Sequence, residues 1–252
     1  MLANVLARVG IGGAKVVTRL EKARYRQGEI LHGEVVVQGG QVKQRIEEIY
    51  ISVVVKYVQE GRIRSYVMRE RRLVESFEIG LQESKVVPFD IRLPSDAPIT
   101  VDGTVVYVNT GLEINMAIDP RAVDGIDIEP HPFTDSVLKT LEKMGFTQIN
   151  VECEHNQFFS RHPFVQKFRF SPAEDFRKRI EELSFIFYVE AEELQVIMEV
   201  KQRATDLFSS LEEALDLDQR LTRFSLSKGI LSDEKALEKE LMKYMKVYKR
   251  RK

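Results

Sequence analysis

Hydrophobic side chains recur at every second position through much of the first half of the chain. In Leu31–Val37 and Ile49–Tyr57, apolar or small residues alternate with polar ones such as His32, Glu34 and Lys56. This period is that of a β-strand with one buried face. Turn-forming pairs separate the runs: Gln27-Gly28, Gly39-Gly40, Glu60-Gly61 and Asp102-Gly103. About six or seven short strands without intervening helices predict a β-sandwich from Ala14 to about Ile118.

Proline and glycine then interrupt the pattern, so Asp119–Pro132 is predicted to be a linker. A helix follows, with Thr134 as its expected cap and Gly145 as its end. Alternation resumes at Ile149, Val151, Cys153 and His155, which should share one strand face.

The remaining pattern predicts a β-hairpin and two further helices. Leu183–Val189 and Leu194–Val200 are the expected hairpin strands. Further elements are expected at Ser209–Leu215 (helix), Leu221–Leu226 (strand) and from Asp233 onward (helix, capped by Ser232). The last helix has an apolar stripe of Leu237, Leu241, Met245 and Tyr248.

Three segments are expected: a sandwich lobe with a short N-terminal helix (1–125), a second β-rich lobe with one or two helices (126–228) and a C-terminal amphipathic helix (229–252). With 38 basic and 39 acidic side chains, the net charge of −1 gives no general attraction to nucleic acid. The single cysteine and the lack of a long apolar run predict a cytoplasmic protein. The N-terminal Met1–Gly10 has helical spacing and is expected to pack on the body of the protein; a membrane-surface helix is the alternative.

No catalytic or metal-binding motif stands out. Gly10–Ala14 superficially resembles a phosphate loop, but a helix precedes it and a strand follows, which is the wrong order. Cys153, His155, His162, Glu152 and Glu154 could supply metal ligands, yet none has an established metal spacing. The interpretation is therefore a non-enzymatic protein with no cofactor and no metal.

The densest basic cluster of the first lobe is the candidate partner-binding site. Its residues are Arg64, Arg69, Arg71 and Arg72. An arginine-rich strand could hold phosphate or an acidic peptide through paired hydrogen bonds. It could equally be charged protection of a strand edge against aggregation, and the sequence leaves both readings open.

Tyr25–Gly40 reads Y-R-Q-G-E-I-L-H-G-E-V-V-V-Q-G-G and resembles the opening hairpin of arrestin-like proteins. Further segments resemble, in the same order, the bacterial sporulation-control (SpoOM-like) family: Gly10–Lys15, Lys43–Tyr57, Val86–Pro94, Leu138–Phe146 and Phe164–Phe168. The chain departs from the expected family pattern at Val17 and Lys201, where acidic residues are expected.

The resemblance implies a mainly β, two-lobed, arrestin-like β-sandwich protein whose second lobe carries added helices and a C-terminal helix. It also implies a regulatory role in sporulation, exerted through contacts with other proteins of unknown identity rather than with nucleic acid. The alternative function is a membrane-surface adaptor that uses the N-terminal helix or the basic tail Lys249–Lys252.

Overall fold

The structure is a computed structural model that describes residues 13–101, 103–114, 119–156, 161–203 and 219–246. The chain is mainly β, as the sequence predicts. It divides into two compact units, one made of Met1–Tyr57 with Gly61–Glu129 and the other of Val58–Glu60 with Pro130–Lys252.

The first unit contains two antiparallel sheets and a short parallel pair. Its strands are β1 (Lys15–Leu20), β2 (Arg24–Arg26), β3 (Ile30–Gln38), β4 (Gln44–Gln59), β5 (Arg62–Val74), β6 (Phe77–Ile79), β7 (Ser84–Arg92), β8 (Val105–Ile114), β9 (Arg121–Gly125) and β10 (Asp127–Glu129). One sheet has the order β1-β3-β7, and β10 pairs with β2. In the other sheet, β4 pairs with β8 along one edge and with β5 and β6 along the opposite edge, and β9 lies beyond β8.

The predicted alternation is confirmed in the two strands that show it best. Leu31, Val35 and Val37 of β3 are fully buried, whereas His32 and Glu34 are exposed. On β4, the alternating set Ile49, Ile51, Val53 and Val55 is also fully buried. Within this core, the Thr18 hydroxyl of β1 donates a 2.8 Å hydrogen bond to the Thr110 hydroxyl of β8, so a polar pair joins the two sheets without unsatisfied groups.

The predicted linker at Asp119–Pro132 is wrong, because most of it forms strands. Arg121–Gly125 (β9) extends the sheet beyond β8, and Asp127–Glu129 (β10) runs parallel to β2. β9 is short and polar, so its sequence does not indicate a strand. Its stability comes from backbone pairing. Ile126 and Ile128 are buried beside it. The expected continuation of β8 to Ile118 lies outside the described residues.

In its described residues, the second unit is an antiparallel sheet with three helices. Its elements are α1 (Pro132–Lys143), β11 (Thr147–His155), β12 (Phe164–Ser171), β13 (Ile180–Val189), β14 (Glu193–Gln202), β15 (Gln219–Ser227), α2 (Lys228–Leu231) and α3 (Glu234–Met245). The strands pair in chain order from β11 to β15, which confirms the predicted hairpin and the predicted strand at Leu221–Leu226. The predicted helix at Ser209–Leu215 lies outside the described residues.

Both predicted helix caps are wrong by a short distance. α1 begins at Pro132, and the His131 ring accepts a hydrogen bond from the Phe133 N–H, because proline at the first helical position starts the helix before Thr134. At α3, the cap is Asp233, whose carboxylate accepts from the N–H groups of Lys235 and Ala236.

Other helix predictions are confirmed. Gly145 has a φ of +88° just after α1, the left-handed conformation that favours glycine. Leu237, Leu241 and Met245 form the buried stripe of α3, whereas Tyr248 lies outside the described residues.

Ile149 is predicted to share one strand face with Val151 and Cys153, and this prediction is wrong. Its side chain is 55% exposed, because the pairing of β11 with β12 shifts between Gln148 and Asn150. A bulge of this kind adds a residue and reverses which face the preceding side chains occupy. Val151 and Cys153, which follow the bulge, are buried as expected.

Gly111 and Tyr50 lie opposite each other on β8 and β4, and the tyrosine ring covers the glycine. A Cβ at position 111 would lie 2.1 Å from Tyr50 Cζ. We expect Gly111→Ala to lower the free energy of unfolding by about 1–3 kcal/mol, because the ring must move. Urea denaturation measures this change. In Tyr50→Ala the same substitution should cost clearly less, and simple additivity of the two changes would refute the packing argument.

Candidate functional site

Strand β5, which carries the predicted arginines, is an edge strand. It pairs only with β4 within the part of the chain that the structure describes. Most of its side chains are exposed, including two large aliphatic ones: Ile63 is 73% exposed and Val67 is 46% exposed. An edge of this kind offers unpaired backbone N–H and C=O groups to another chain.

Two of the predicted arginines already have partners within the first unit. The Arg71 guanidinium lies 3.0 Å from the Asp90 carboxylate and donates to the Asp90 carbonyl oxygen at 2.6 Å. Asp90 belongs to β7 in the facing sheet. Arg72 Nε lies 3.4 Å from the Glu48 carboxylate on the neighbouring strand β4. Both guanidinium groups therefore hold β5 to the rest of its unit.

The remaining arginines of β5 do not form such ion pairs within the described residues. Arg64 and Arg69 have no carboxylate within ion-pair distance among the described residues, and neither does Arg62, which the sequence analysis did not select. All three are exposed. The structure thus separates Arg71 and Arg72, which form internal ion pairs, from Arg64 and Arg69, whose charge no carboxylate of the described residues compensates. Whether any of them binds a partner stays a prediction.

A second open surface lies in the second unit, between α1 and the start of β11. It is a groove of about 550 Å³, lined by Asp135, Leu138, Lys139, Glu142, Gly145, Phe146, Thr147, Gln148 and Phe170. The edge of β11 beside it has a single strand contact among the described residues, the pairing of Glu154 with Val58. Asp135 and Lys139 form an ion pair, and Glu142 has none in the described chain. The groove therefore has a slight negative charge.

A network of partly buried ion pairs links strands of the sheet in the second unit. Lys167 on β12 lies 2.8 Å from Glu154 on β11 and 2.9 Å from Glu199 on β14. Arg169 lies 3.0 Å from Glu154. Burial alone would lower the pKa of Lys167, but its hydrogen bonds to the two carboxylates outweigh this and raise it. Because these charges satisfy each other, we assign the network to stability rather than to binding.

The residues weighed as metal ligands do not converge. Cys153 is buried, whereas the ring of His162 stacks on Phe164 with 5.6 Å between centroids. Glu152 and Glu154 are ion-paired with Arg169. Within the described residues, no group of three or more histidine, cysteine or acidic side chains is placed to hold a metal ion.

The structure places both residues that depart from the expected family pattern on strands. Val17 lies on the outer face of the first sheet, in one row with Val36 and Val86. Lys201 lies 3.0 Å from Glu181.

The segments weighed for membrane contact, Met1–Gly10 and Lys249–Lys252, lie outside the described residues, as does most of Gly10–Ala14. No helix in the described part of the chain is long and apolar enough to cross a membrane.

A mainly β architecture with exposed strand edges is a design that binding proteins use. The comparisons with known proteins identify the family. The model of the SpoOM protein family matches residues 2–204, so the chain belongs to this family. The chain is 37% identical, over 251 residues and 97% of each protein, to the sporulation-control protein spo0M of Bacillus subtilis. The crystal structure of Spo0M from the same organism matches 94% of this chain and 100% of its own, with a TM-score of 0.84 and 34% identity.

The Lys167 network supports a stability prediction. We expect Lys167→Met to lower the free energy of unfolding by about 1–3 kcal/mol near neutral pH, because two partly buried carboxylates lose their cation. The exposed pair of Lys139 with Asp135 is the matched control, and Lys139→Met should cost less than about 0.5 kcal/mol. Urea denaturation measures both.

The same network should depend on alkaline pH. The folded-state pKa of Lys167 lies above its ordinary value of 10.5, so its stabilising contribution is complete below that pH and is lost as the pH rises through the folded-state pKa. The stability difference between the parent protein and Lys167→Met should therefore stay constant from about pH 8 to about pH 10 and shrink only as the pH rises above about 10.5. A difference that stays constant or grows above that pH would contradict the assignment.

Proposed function

We propose that this protein is a cytoplasmic, non-enzymatic regulator of sporulation that acts by binding other proteins. Support comes from its family and from the name of its Bacillus subtilis relative, a sporulation-control protein. Among the described residues of the second unit, charged side chains such as Lys167 and Arg169 are arranged in ion pairs with Glu154.

The observation that carries this proposal is the exposed edge of β5. Pairing of backbone groups at a strand edge gives affinity without any chemical step, and neighbouring side chains give selectivity. The edge of β5 carries exposed aliphatic side chains and exposed arginines. Arg64 and Arg69 are the two arginines of the predicted site that form no ion pair within the described residues. Arg71 and Arg72 contribute by fixing the strand in place through Asp90 and Glu48.

Deletion of the gene in its host tests the biological role. We expect the yield of heat-resistant spores to change and to return to normal when the unaltered gene is restored. The double variant Arg64→Gln/Arg69→Gln should restore it incompletely, because it retains the fold but loses two exposed cations. Counting heat-resistant spores measures each case.

The matched control is Arg121→Gln, which removes one exposed arginine from β9 of the same unit. It should restore spore formation fully. A deletion that leaves the spore yield unchanged would contradict the proposed role, whatever the behaviour of the variants.

A further inference from the structure

We propose that β5 binds an acidic, extended segment of a partner protein, which adds to the sheet as a new strand beside it. This inference rests on the proposed function, because it names the chemistry of the partner that such a regulator would bind. Three features of β5 support it: exposed aliphatic side chains and, within the described residues, a backbone edge without a strand partner and arginines without a carboxylate partner.

The backbone edge is long enough to hold a peptide. β5 spans 13 residues and has β4 as its only strand partner among the described residues. In an antiparallel pair, successive residues direct their N–H and C=O groups alternately toward and away from the neighbour. About half of the backbone groups of β5 therefore point away from β4, where an added strand would pair with them.

The side chains beside this edge favour a partner with some apolar character. Ile63 is the most exposed of the large hydrophobic side chains that the structure describes, and Val67 is also exposed. An added strand places alternate side chains next to those of β5, so apolar residues of the partner would cover both. This contact removes apolar surface from water and contributes to affinity.

The charge selects an acidic partner. Arg62, Arg64 and Arg69 have no carboxylate partner in the described chain, and Glu70 is the only acidic residue of β5. Carboxylates accept paired hydrogen bonds from guanidinium groups, so aspartate or glutamate in the added strand would compensate these cations. The groove between α1 and β11 has a slight negative charge because of Glu142, so it would repel an acidic segment.

A second copy of this chain fits the edge less well. Pairing β5 with β5 would bring arginines of the two copies close together without providing carboxylates in equal number. Like charges opposite each other on paired strands are destabilising. The same cations that attract an acidic segment therefore disfavour self-association. The arginines of β5 can thus bind a partner and also protect the strand edge against aggregation.

Selection from a random peptide display library against the full chain tests the inference without a known partner. We expect enriched peptides to carry aspartate or glutamate on both faces of the strand, because Arg64 and Arg69 are five residues apart and lie on opposite faces of β5, together with valine, isoleucine or other strand-forming residues. Synthetic versions should bind the Arg64→Gln/Arg69→Gln variant at least about tenfold more weakly than the parent protein. Binding should also weaken as salt concentration rises.

Two matched variants separate β5 from the rest of the surface. Glu142→Gln alters the groove beside β11, and Arg121→Gln removes an exposed cation from β9. Both should bind the enriched peptides as the parent does. Recovery of neutral or basic peptides, failure to recover any, or equal binding to the Arg64→Gln/Arg69→Gln variant would overturn the inference. Self-association of that variant in sedimentation velocity, with peptide binding unchanged, would assign these arginines to edge protection alone.

Backbone methylation tests whether the peptide binds as a strand. The best enriched peptide is made in two forms, each N-methylated at alternate residues, so that each form blocks the N–H groups along one edge only. Addition to β5 uses one edge of the peptide, so one form should lose binding and the other should retain it. Equal binding, or equal loss, in both forms would overturn strand addition. These peptide results are independent of spore counts, so failure of this inference is distinguishable from failure of the proposed regulatory role.

Discussion

The backbone ladder around β4 is the interaction on which the first unit depends. β4 is 16 residues long, and its apolar side chains at alternate positions are fully buried from Ile49 to Val55. Because β8 occupies one edge of β4, β5 must lie along the other. The same pairing that completes the core therefore leaves β5 exposed, and its outer backbone groups have no strand partner in the part of the chain that the structure describes. The candidate site is in this sense a direct consequence of the fold.

An exposed strand edge must be protected, because an unpaired row of N–H and C=O groups invites pairing with any extended chain. Positive charge protects β5 against a second copy of itself, yet it does not protect against a segment of opposite charge. The distribution of the arginines makes this selective. Arg71 and Arg72 compensate Asp90 and Glu48 and secure the strand, whereas Arg64 and Arg69 leave net charge at the edge. The same arrangement of arginines therefore protects the edge against a second copy of β5 and recognises an acidic segment. The outcome depends only on the charge of the approaching chain.

The sequence predicted those parts of the fold that depend on local periodicity. Alternation located β3, β4 and the β13–β14 hairpin, because a half-buried strand must place apolar residues at every second position. It missed β9, whose stability comes from backbone pairing with β8 rather than from its own side chains. It also misplaced Ile149, because a one-residue bulge leaves no mark in the pattern of hydrophobicity. The arginine cluster was recognisable from composition alone, but its division into paired and unpaired members depends on Asp90 and Glu48, which are distant in sequence.

The second unit shows what the same side-chain types do when their charges are matched. Lys167 lies between Glu154 and Glu199, and Arg169 shares Glu154, so both of these cations have a carboxylate on the neighbouring strand β11. Such a network gains little from an additional ligand, because a ligand would have to displace partners that are already close and partly buried. On β5, Arg64 and Arg69 have no such partners among the described residues, so a carboxylate from another protein displaces no ion-pair partner seen in the structure. The contrast between these two sheets explains why a count of charged residues does not locate a binding surface, whereas the balance of charge along a single open edge does.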